Sequence, residues 1–186
     1  MPIVRGQAKT RRFFDWIAPN YDFLNGILFR PGWRAKMRAA LLPGRVLDVG
    51  VGTGYSTGDV EGAVGIDISR EMVSRTSSYR GDLVLADAMN PPLRPRSFST
   101  IVCAGSFYYL PDSVRALRSF HTLLIPGGRV VMLSPAAWFL RPVVRIFDER
   151  EYESMAKEAG FSLEKYEDLR GVACLVVMTA RGSPLA

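Results

Sequence analysis

The stretch that most constrains the fold is Val46–Tyr55, where an apolar run leads into three glycines. These glycines are Gly50, Gly52 and Gly54. An apolar run followed by a glycine-rich turn is typical of a buried strand in a parallel sheet. Glycine has no Cβ and adopts positive φ angles readily, so a ligand can approach the backbone of such a turn closely. The stretch therefore predicts a strand whose carboxyl end forms one wall of a binding site.

A second apolar run, Val64–Ile68, contains the acid Asp67 thirteen residues after Gly54. A strand, a glycine turn, a short crossover and a second strand ending in an acid form the layout of a nucleotide-type site. Such a carboxylate accepts hydrogen bonds from ribose hydroxyls, although a helix-capping role is the alternative for Asp67. The spacing G-x-G-x-G differs from the dinucleotide pattern G-x-G-x-x-G, which favours a ligand without a pyrophosphate at this loop.

Strand-like and helix-like segments alternate through most of the remaining chain. The pattern predicts strands at residues 45–49, 63–67, 83–86, 98–104, 129–133, 161–168 and 172–179, and helices at residues 112–124 and 149–159. This alternation favours an α/β fold with a doubly wound, mostly parallel seven-stranded sheet of the Rossmann-like type. Only three residues separate the last two strands, so we expect them to pair as an antiparallel hairpin.

The first part of the chain has a helical pattern. Apolar residues recur at three- and four-residue steps between Thr10 and Leu42, with breaks near Pro19 and Pro31. We expect residues 1–42 to form N-terminal lid helices. The remainder, residues 43–186, is expected to form one compact Rossmann-like unit.

The first crossover, between Gly54 and Gly65, is unusually short. Only ten residues, 55–64, connect these glycines, and two of them are Gly58 and Gly62. We therefore expect a crossover helix of about two turns that is irregular.

The net charge of +6 is concentrated in the first quarter of the chain. Residues 1–45 contain nine basic residues and two acids, whereas the remainder contains 15 basic and 16 acidic residues. A basic segment that also contains aromatic residues can contact an anionic membrane surface or, as a weaker alternative, nucleic acid. A solvated basic face is the third interpretation.

Cysteine usage and apolar runs limit the function classes. The two cysteines, Cys103 and Cys174, lie in strand-like runs, and His121 is the single histidine. These residues lack the spacing of a metal site, and we expect the thiols to be buried rather than disulfide-bonded. The chain shows no signal-peptide pattern and no run of about 18 apolar residues, so we expect a soluble, cytoplasmic protein.

Two further acids lie near predicted strand ends. Asp87 ends the third strand beside the backbone amides of Ala88 and Met89, where a carboxylate can accept a hydrogen bond from the exocyclic amine of a base. A turn aspartate is the alternative. Asp48 lies just before Val49 and is either an acceptor that braces the loop or a ligand to a positive centre. The sequence leaves both interpretations open.

Aromatic residues follow the fourth and fifth predicted strands. After strand four, Phe107, Tyr108 and Tyr109 would form a wall that stacks a planar acceptor. The phenols of Tyr108 and Tyr109 are the candidate catalytic donors or bases. Trp138 belongs to an apolar loop after strand five that would close the acceptor pocket or enter a membrane surface. Ordinary packing is the alternative for all four residues.

Four segments in order, residues 46–55, 65–69, 86–89 and 124–128, resemble the motifs of class I S-adenosylmethionine-dependent methyltransferases. A further N-terminal pattern is similar to the ubiquinone/menaquinone biosynthesis C-methyltransferase family. It consists of Phe14, Ala18, Tyr21, Asp22, Asn25, Phe29, Trp33 and Arg34. The resemblance implies that S-adenosylmethionine is the cofactor and that its methyl group is moved to an acceptor.

The resemblance also implies which residues form the site. The cofactor residues would be Tyr21, Asp48, Gly50, Gly52, Thr53, Gly54, Asp67, Ile68, Asp87, Ala88, Met89, Ala104 and Ser106. The glycine turn would hold the methionine part of the cofactor, Asp67 its ribose, and Asp87 with Ala88 its adenine. Residues after strand four would face the acceptor, with Phe107, Tyr108 and Trp138 as the substrate residues.

Three functions remain open at this level. The first is methyl transfer to a small, apolar or aromatic acceptor such as a quinone-type molecule. The basic N-terminus also permits an RNA or protein methyltransferase. The short first crossover and the reduced segment 134–150, where similar enzymes often carry substrate-covering structure, permit a cofactor-binding partner subunit without catalytic activity.

Overall fold

Seven strands form the centre of the molecule. The structure, a computed structural model, describes residues 12, 15–16, 31–76 and 79–182. The strands are β1 (Val46–Val49), β2 (Val64–Asp67), β3 (Asp82–Leu85), β4 (Phe98–Ala104), β5 (Leu124–Pro135), β6 (Phe161–Leu169) and β7 (Ala173–Ala180). They form one sheet in the order β3-β2-β1-β4-β5-β7-β6.

The strand pairing confirms the predicted fold class. Strands β3, β2, β1, β4 and β5 are parallel neighbours, whereas β7 is antiparallel to both β5 and β6. The last two strands therefore form the expected hairpin. Strand β1 pairs with β2 on one side and with β4 on the other, so the strand order reverses at β1. Ligands of open α/β sheets bind outside the carboxyl ends of the strands at such a switch point.

Both faces of the sheet are covered, as a parallel sheet requires. Successive side chains of a strand point to opposite faces. In β1, Leu47 and Val49 belong to one core cluster, whereas Val46 belongs to a second cluster on the other face. All four residues of β1 are buried, including Asp48, which therefore shares a face with Val46.

The described helices are α1 (Pro31–Ala39), α2 (Arg70–Ser74), α3 (Ser113–Leu123) and α4 (Glu149–Glu158). Three of them begin at a capping side chain, which is Ser69 for α2, Asp112 for α3 and Asp148 for α4. Each cap accepts a hydrogen bond from a backbone N–H of the first turn that has no partner within the helix. The starts of these helices are therefore encoded locally.

Helix α1 is a layer of the core. Trp33 and Met37, four residues apart on one helix face, are buried in the same cluster as Val46. Residues 31–39 therefore pack against one face of the sheet. Most of the predicted lid lies outside the described residues, and its role stays a prediction.

The first crossover contains turns where a helix of about two turns was expected. Residues 52–62 form a succession of turns and bends. Gly58 and Gly62 weaken any helix in this short segment, since glycine costs about 1 kcal/mol relative to alanine in a helix.

Helix α1 supports this crossover from outside. Arg34 and Arg38 both form ion pairs with Asp59. The guanidinium carbon of Arg34 also lies 5.5 Å from the ring centroid of Tyr55. These contacts hold the crossover against α1. They replace the helical hydrogen bonds that would stabilise a regular crossover helix.

Strand β5 begins earlier than the predicted start at Arg129. Its pairing with β4 starts at Leu124, opposite Phe98, and resumes at Arg129, opposite Thr100. The residues between them include Gly127, whose φ angle is 74°. The Pro-Gly-Gly sequence thus forms an irregularity within the strand, a position that suits glycine.

Membrane-spanning helices and metal-binding clusters are both absent from the described ranges. None of their helices has the length and apolar character needed to cross a membrane. The same ranges hold no group of three or more His, Cys, Asp or Glu side chains that could bind a metal ion. The predicted cytoplasmic location stays a prediction.

Candidate functional site

A cavity opens at the carboxyl ends of β1 to β4, at the switch point of the sheet. The space that its walls partly enclose is about 690 Å³, including open solvent at the mouth. The described residues that line it are Val49, Gly50, Gly52, Ile66, Asp67, Ile68, Met72, Ala86, Asp87, Ala88, Gly105, Ser106, Tyr109 and Leu110. Each strand from β1 to β4 is followed by a contributing segment, so the topology itself assembles the wall.

The glycine turn after β1 forms the base of this wall. Gly50, Gly52 and Gly54 have φ angles of 72°, 55° and 85°, which residues with a Cβ adopt only with strain. The N–H groups of Gly50 and Val51 donate hydrogen bonds to the Ile66 carbonyl oxygen at 2.8 and 3.0 Å. The turn is therefore held against the end of β2.

Gly50 is also in close contact with the loop after β4. A Cβ at this position would lie 2.4 Å from the Cβ of Ser106. The Ser106 hydroxyl donates a hydrogen bond to the carbonyl oxygen of Val49. Two walls of the cavity are thus fastened to each other at a point where only glycine fits.

Asp67 connects the glycine turn to helix α2. Its Oδ2 accepts a hydrogen bond from the N–H of Gly52 at 2.9 Å, and its Oδ1 accepts one from the N–H of Ser69 at 2.8 Å. Burial raises the pKa of Asp67, and these backbone hydrogen bonds oppose the increase. A carboxylate has about four acceptor positions, so both oxygens keep capacity for a ligand hydroxyl.

Asp48 lies buried beneath the glycine turn. Its Oδ2 accepts a hydrogen bond from the Thr57 hydroxyl at 2.6 Å, and that hydroxyl lies 3.0 Å from the hydroxyl of Tyr79. Its Oδ1 has no hydrogen-bond partner among the described residues. Burial raises the pKa of Asp48 to about 7, although the hydrogen bond from Thr57 opposes the increase. The contact with Thr57 fits the interpretation that Asp48 braces the loop. Because Oδ1 has no such contact, the interpretation of Asp48 as a ligand to a positive centre stays open.

Asp87 follows β3 and forms a turn. Its Oδ1 accepts a hydrogen bond from the N–H of Met89 at 2.9 Å. Asp87 and Ala88 line the cavity, whereas Met89 is buried in the core. Asp87 is therefore a turn residue and a wall residue at once, so the two interpretations of it are compatible.

The aromatic residues after β4 point in different directions. They form a 3₁₀ turn, Phe107–Tyr109. Phe107 is fully buried and packs against Phe147 and Tyr152, with ring centroids 6.0 and 6.3 Å away. This position corrects the prediction that Phe107 contacts the acceptor, because the ring belongs to the core. Tyr109 lines the cavity, and its ring centroid is 4.4 Å from that of Tyr108.

The structure brings seven of the predicted cofactor residues into the cavity wall. These are Gly50, Gly52, Asp67, Ile68, Asp87, Ala88 and Ser106. Other predicted residues do not line it: Asp48, Thr53, Gly54, Met89, Ala104, Tyr108 and Trp138. Tyr21 lies outside the described residues. Trp138 is exposed on the 3₁₀ turn Trp138–Leu140 after β5.

Sequence reasoning missed several residues of the wall. Val49, Ile66, Ala86 and Gly105 each directly precede a predicted residue, so including the residue before each of these predicted positions would have found them. Met72 on α2 and Leu110 after the 3₁₀ turn have no such signal. Their place in the wall depends on how these segments pack.

Comparisons with known proteins identify the family. A family model described as a methyltransferase domain matches residues 47–132. A ubiquinone/menaquinone biosynthesis C-methyltransferase from Geotalea daltonii is 36% identical over 146 residues, covering 67% of this chain and 62% of the relative. A demethylmenaquinone methyltransferase from Deinococcus radiodurans is 32% identical over 164 residues, covering 77% of this chain and 68% of the relative. This chain belongs to the ubiquinone/menaquinone-type class I S-adenosylmethionine-dependent methyltransferases.

The predicted family and its cofactor, S-adenosylmethionine, are thereby confirmed. The methyltransferase chain spans 62% and 68% of the length of these two relatives. Solved structures agree on the fold. An S-adenosylmethionine-dependent methyltransferase from Thermotoga maritima has a TM-score of 0.76 at 18% identity, covering 92% of this chain and 99% of that one. For a methyltransferase from Aquifex aeolicus the TM-score is 0.73 at 17% identity, with 89% and 97% covered.

Replacing Gly50 with alanine is expected to destabilise this methyltransferase more than the same change at Gly62. Both glycines have positive φ angles, of 72° and 68°, so both variants share a backbone strain of about 1–2 kcal/mol. Only at Gly50 would the new Cβ meet a neighbour, Ser106, since no heavy atom lies within 4 Å at Gly62. The overpacking adds about 1–3 kcal/mol, which urea unfolding measures. Equal losses in the two variants would contradict the close packing.

The buried carboxyl of Asp48 predicts a pH dependence of stability. Its pKa is raised from 3.8 to about 7 in the folded state, so the folded protein holds a proton that the unfolded chain has lost between these values. The free energy of unfolding therefore falls as pH rises from about 4 to 7. Asp48→Asn removes this pH dependence. The stability of the variant relative to the wild type is therefore expected to increase by up to about 4 kcal/mol between pH 4 and pH 8. Denaturant unfolding of both proteins across this range would measure the effect, and parallel pH profiles would refute it.

Proposed function

We propose that this methyltransferase methylates a ring carbon of a small, apolar, quinone-type acceptor. The observation that carries the proposal is the composition of the cavity wall. Among its described residues only Asp67, Asp87 and Tyr109 are ionisable. The two relatives whose names contain ubiquinone and menaquinone support the same acceptor class.

The two carboxylates belong to the cofactor half of the cavity in this proposal. Asp67 would accept hydrogen bonds from the ribose hydroxyls with the acceptor capacity that its backbone contacts leave. Asp87 and Ala88, one strand further out, would flank the adenine. The glycine turn would receive the methionine part, with the buried Oδ1 of Asp48 beneath it. The chain thus has polar groups to match each part of S-adenosylmethionine.

The segment after β4 would form the acceptor half. Ser106, Tyr109 and Leu110 line this side of the cavity. Burial raises the pKa of Tyr109, and the hydrogen bond with Tyr108 opposes the increase. The Tyr109 phenol therefore stays protonated near neutral pH. We assign it as a hydrogen-bond donor to a ring oxygen of the acceptor, and not as a base.

The chemistry requires little of the protein beyond alignment. S-adenosylmethionine supplies an electrophilic methyl group on its sulfonium. The acceptor carbon would form the new C–C bond while the S–CH₃ bond breaks with its electron pair on sulfur, and the ring carbon would then lose its proton to solvent. An electron-rich hydroquinone carbon needs no strong base for this step. Positioning by the cavity wall and exclusion of water would provide most of the rate enhancement.

Replacing Asp67 with alanine is expected to weaken S-adenosylmethionine binding by more than about 1 kcal/mol, because charge-assisted hydrogen bonds are lost. Asp67 also holds the glycine turn, so Thr76→Val serves as the matched control. The Thr76 hydroxyl donates to the Gly52 carbonyl oxygen at 2.9 Å and does not line the cavity. Calorimetric titration of both variants separates ligand contact from loop bracing. If Asp67→Ala bound S-adenosylmethionine as tightly as the wild type, the assignment of Asp67 to the ribose would be wrong.

The acceptor class is tested with a water-soluble naphthohydroquinone under anaerobic conditions. Mass spectrometry is expected to show a product with one added methyl group on a ring carbon, together with S-adenosylhomocysteine. Tyr109→Phe is expected to retain cofactor affinity and to lose about tenfold or more in kcat/KM, since one donor to the acceptor is removed. Cofactor binding without any methyl transfer would favour the non-catalytic alternative, and transfer to RNA or protein alone would refute the acceptor assignment.

A further inference from the structure

An exposed apolar surface lies beyond the carboxyl end of β5, outside the cavity. We define the β5 edge patch as Trp138, Phe139, Val143 and Val172, which are 77%, 61%, 43% and 43% exposed. The N–H of Ala136 donates a hydrogen bond to the Val172 carbonyl oxygen at 2.9 Å. The loop after β5 and the turn between β6 and β7 are therefore joined at this point.

The local structure holds the rings of the patch outward. The N–H of Leu140 donates a hydrogen bond to the Ala137 carbonyl oxygen at 3.0 Å. The N–H of Arg141 donates one to the Trp138 carbonyl oxygen at 3.1 Å. These bonds form the 3₁₀ turn that carries both aromatic residues. Further along, Val144 and Phe147 are buried in the core and anchor the loop. The turn therefore projects from a fixed base.

The chain around the patch carries positive charge. Residues 135–147 contain Arg141 and Arg145 and no acid, and the exposed acids Asp148 and Glu149 follow at the start of α4. Arg170 lies in the adjacent turn between β6 and β7 and is exposed. Asp168, near the end of β6, accepts a hydrogen bond from the backbone N–H of Gly171 in this turn at 2.6 Å. A binding partner that complements this patch would have an apolar interior to receive the rings and negative charge at its surface to pair with the arginines.

We propose that the β5 edge patch docks this protein on an anionic lipid bilayer. Tryptophan and phenylalanine on a projecting turn enter the headgroup region, and neighbouring arginines bind anionic headgroups while their aliphatic stems lie along the apolar layer. Exposed apolar side chains next to one another mark such interaction surfaces. An apolar partner protein would complement the rings but not the arginines.

The position of the patch relates docking to the cavity. In the sheet, β4 alone separates β5 from β1, and neighbouring strands are about 4.8 Å apart. The end of β5, from which the patch continues, and the cavity mouth thus share the carboxyl edge of the parallel strands. Docking would let an apolar acceptor enter from the lipid. This benefit rests on the proposed function, whereas the docking itself does not.

The test uses the full chain and co-sedimentation with vesicles of phosphatidylcholine, with or without about one third phosphatidylglycerol. The wild type is expected to bind the anionic vesicles, and Trp138→Ser/Phe139→Ser is expected to bind at least about tenfold more weakly because two interfacial anchors are lost. Ile125→Ser is the matched control, since Ile125 is 39% exposed at the opposite end of β5. It is expected to bind like the wild type.

The charge contribution is tested separately. Arg141→Gln/Arg170→Gln is expected to weaken binding to anionic vesicles several-fold and to reduce its salt dependence, because phosphate contacts are lost. Arg94→Gln, at an exposed arginine before β4, is the control.

Three results would overturn the docking assignment. The first is that the wild type does not bind vesicles. The second is that the Trp138→Ser/Phe139→Ser variant binds as well as the wild type, which would assign docking to another segment. The third is that this variant loses self-association while its vesicle binding is unchanged. Cofactor titration and methyl transfer to the water-soluble acceptor are measured without vesicles. A failure of the proposed function is thereby distinguished from a failure of docking.

Discussion

The site depends on one half-buried carboxylate, that of Asp67. It accepts hydrogen bonds from the glycine turn and from the N–H of Ser69, the residue that caps α2. The Ser69 hydroxyl in turn donates to Asp15, so a part of the N-terminal segment is joined to the same point. A carboxylate that is partly removed from water is costly unless hydrogen bonds compensate for its lost hydration. The backbone donors meet this requirement, and the carboxylate thereby holds β1, β2 and α2 in one arrangement.

A second carboxylate, Asp48, lies below the first and has a different environment. Its contact with Thr57 reaches into the crossover, and Thr57 is also within hydrogen-bond distance of Tyr79. The charge of Asp67 adds to the effect of burial on the pKa of Asp48. Burial raises the pKa of both acids, and this increase is opposed by backbone N–H groups at Asp67 and by a single hydroxyl at Asp48. The turn between them is supported from both sides.

Much of the fold could be predicted because its determinants are local. Strand patterns, the glycine turn and the caps at Ser69, Asp112 and Asp148 are encoded in short segments, and parallel topology then places the strand ends together. Tertiary packing decided what the sequence could not show. Phe107 and Tyr109 are two residues apart in one aromatic run, yet Phe147 and Tyr152 hold the first ring in the core while the second faces the cavity. Helix α1 likewise has an apolar face whose partner no local pattern identifies.

The crossover without a helix has a consequence for the energetics of ligand binding. Its turns contain few repeated backbone hydrogen bonds, and its outer contacts are ion pairs at the surface, where each is worth about 1 kcal/mol or less. Such a segment opens at a lower free energy than the sheet that it connects. Its amide hydrogens should exchange with solvent well before those of β1 and β2. A ligand held by the glycine turn would slow that exchange, so part of its binding energy would be spent on ordering the crossover.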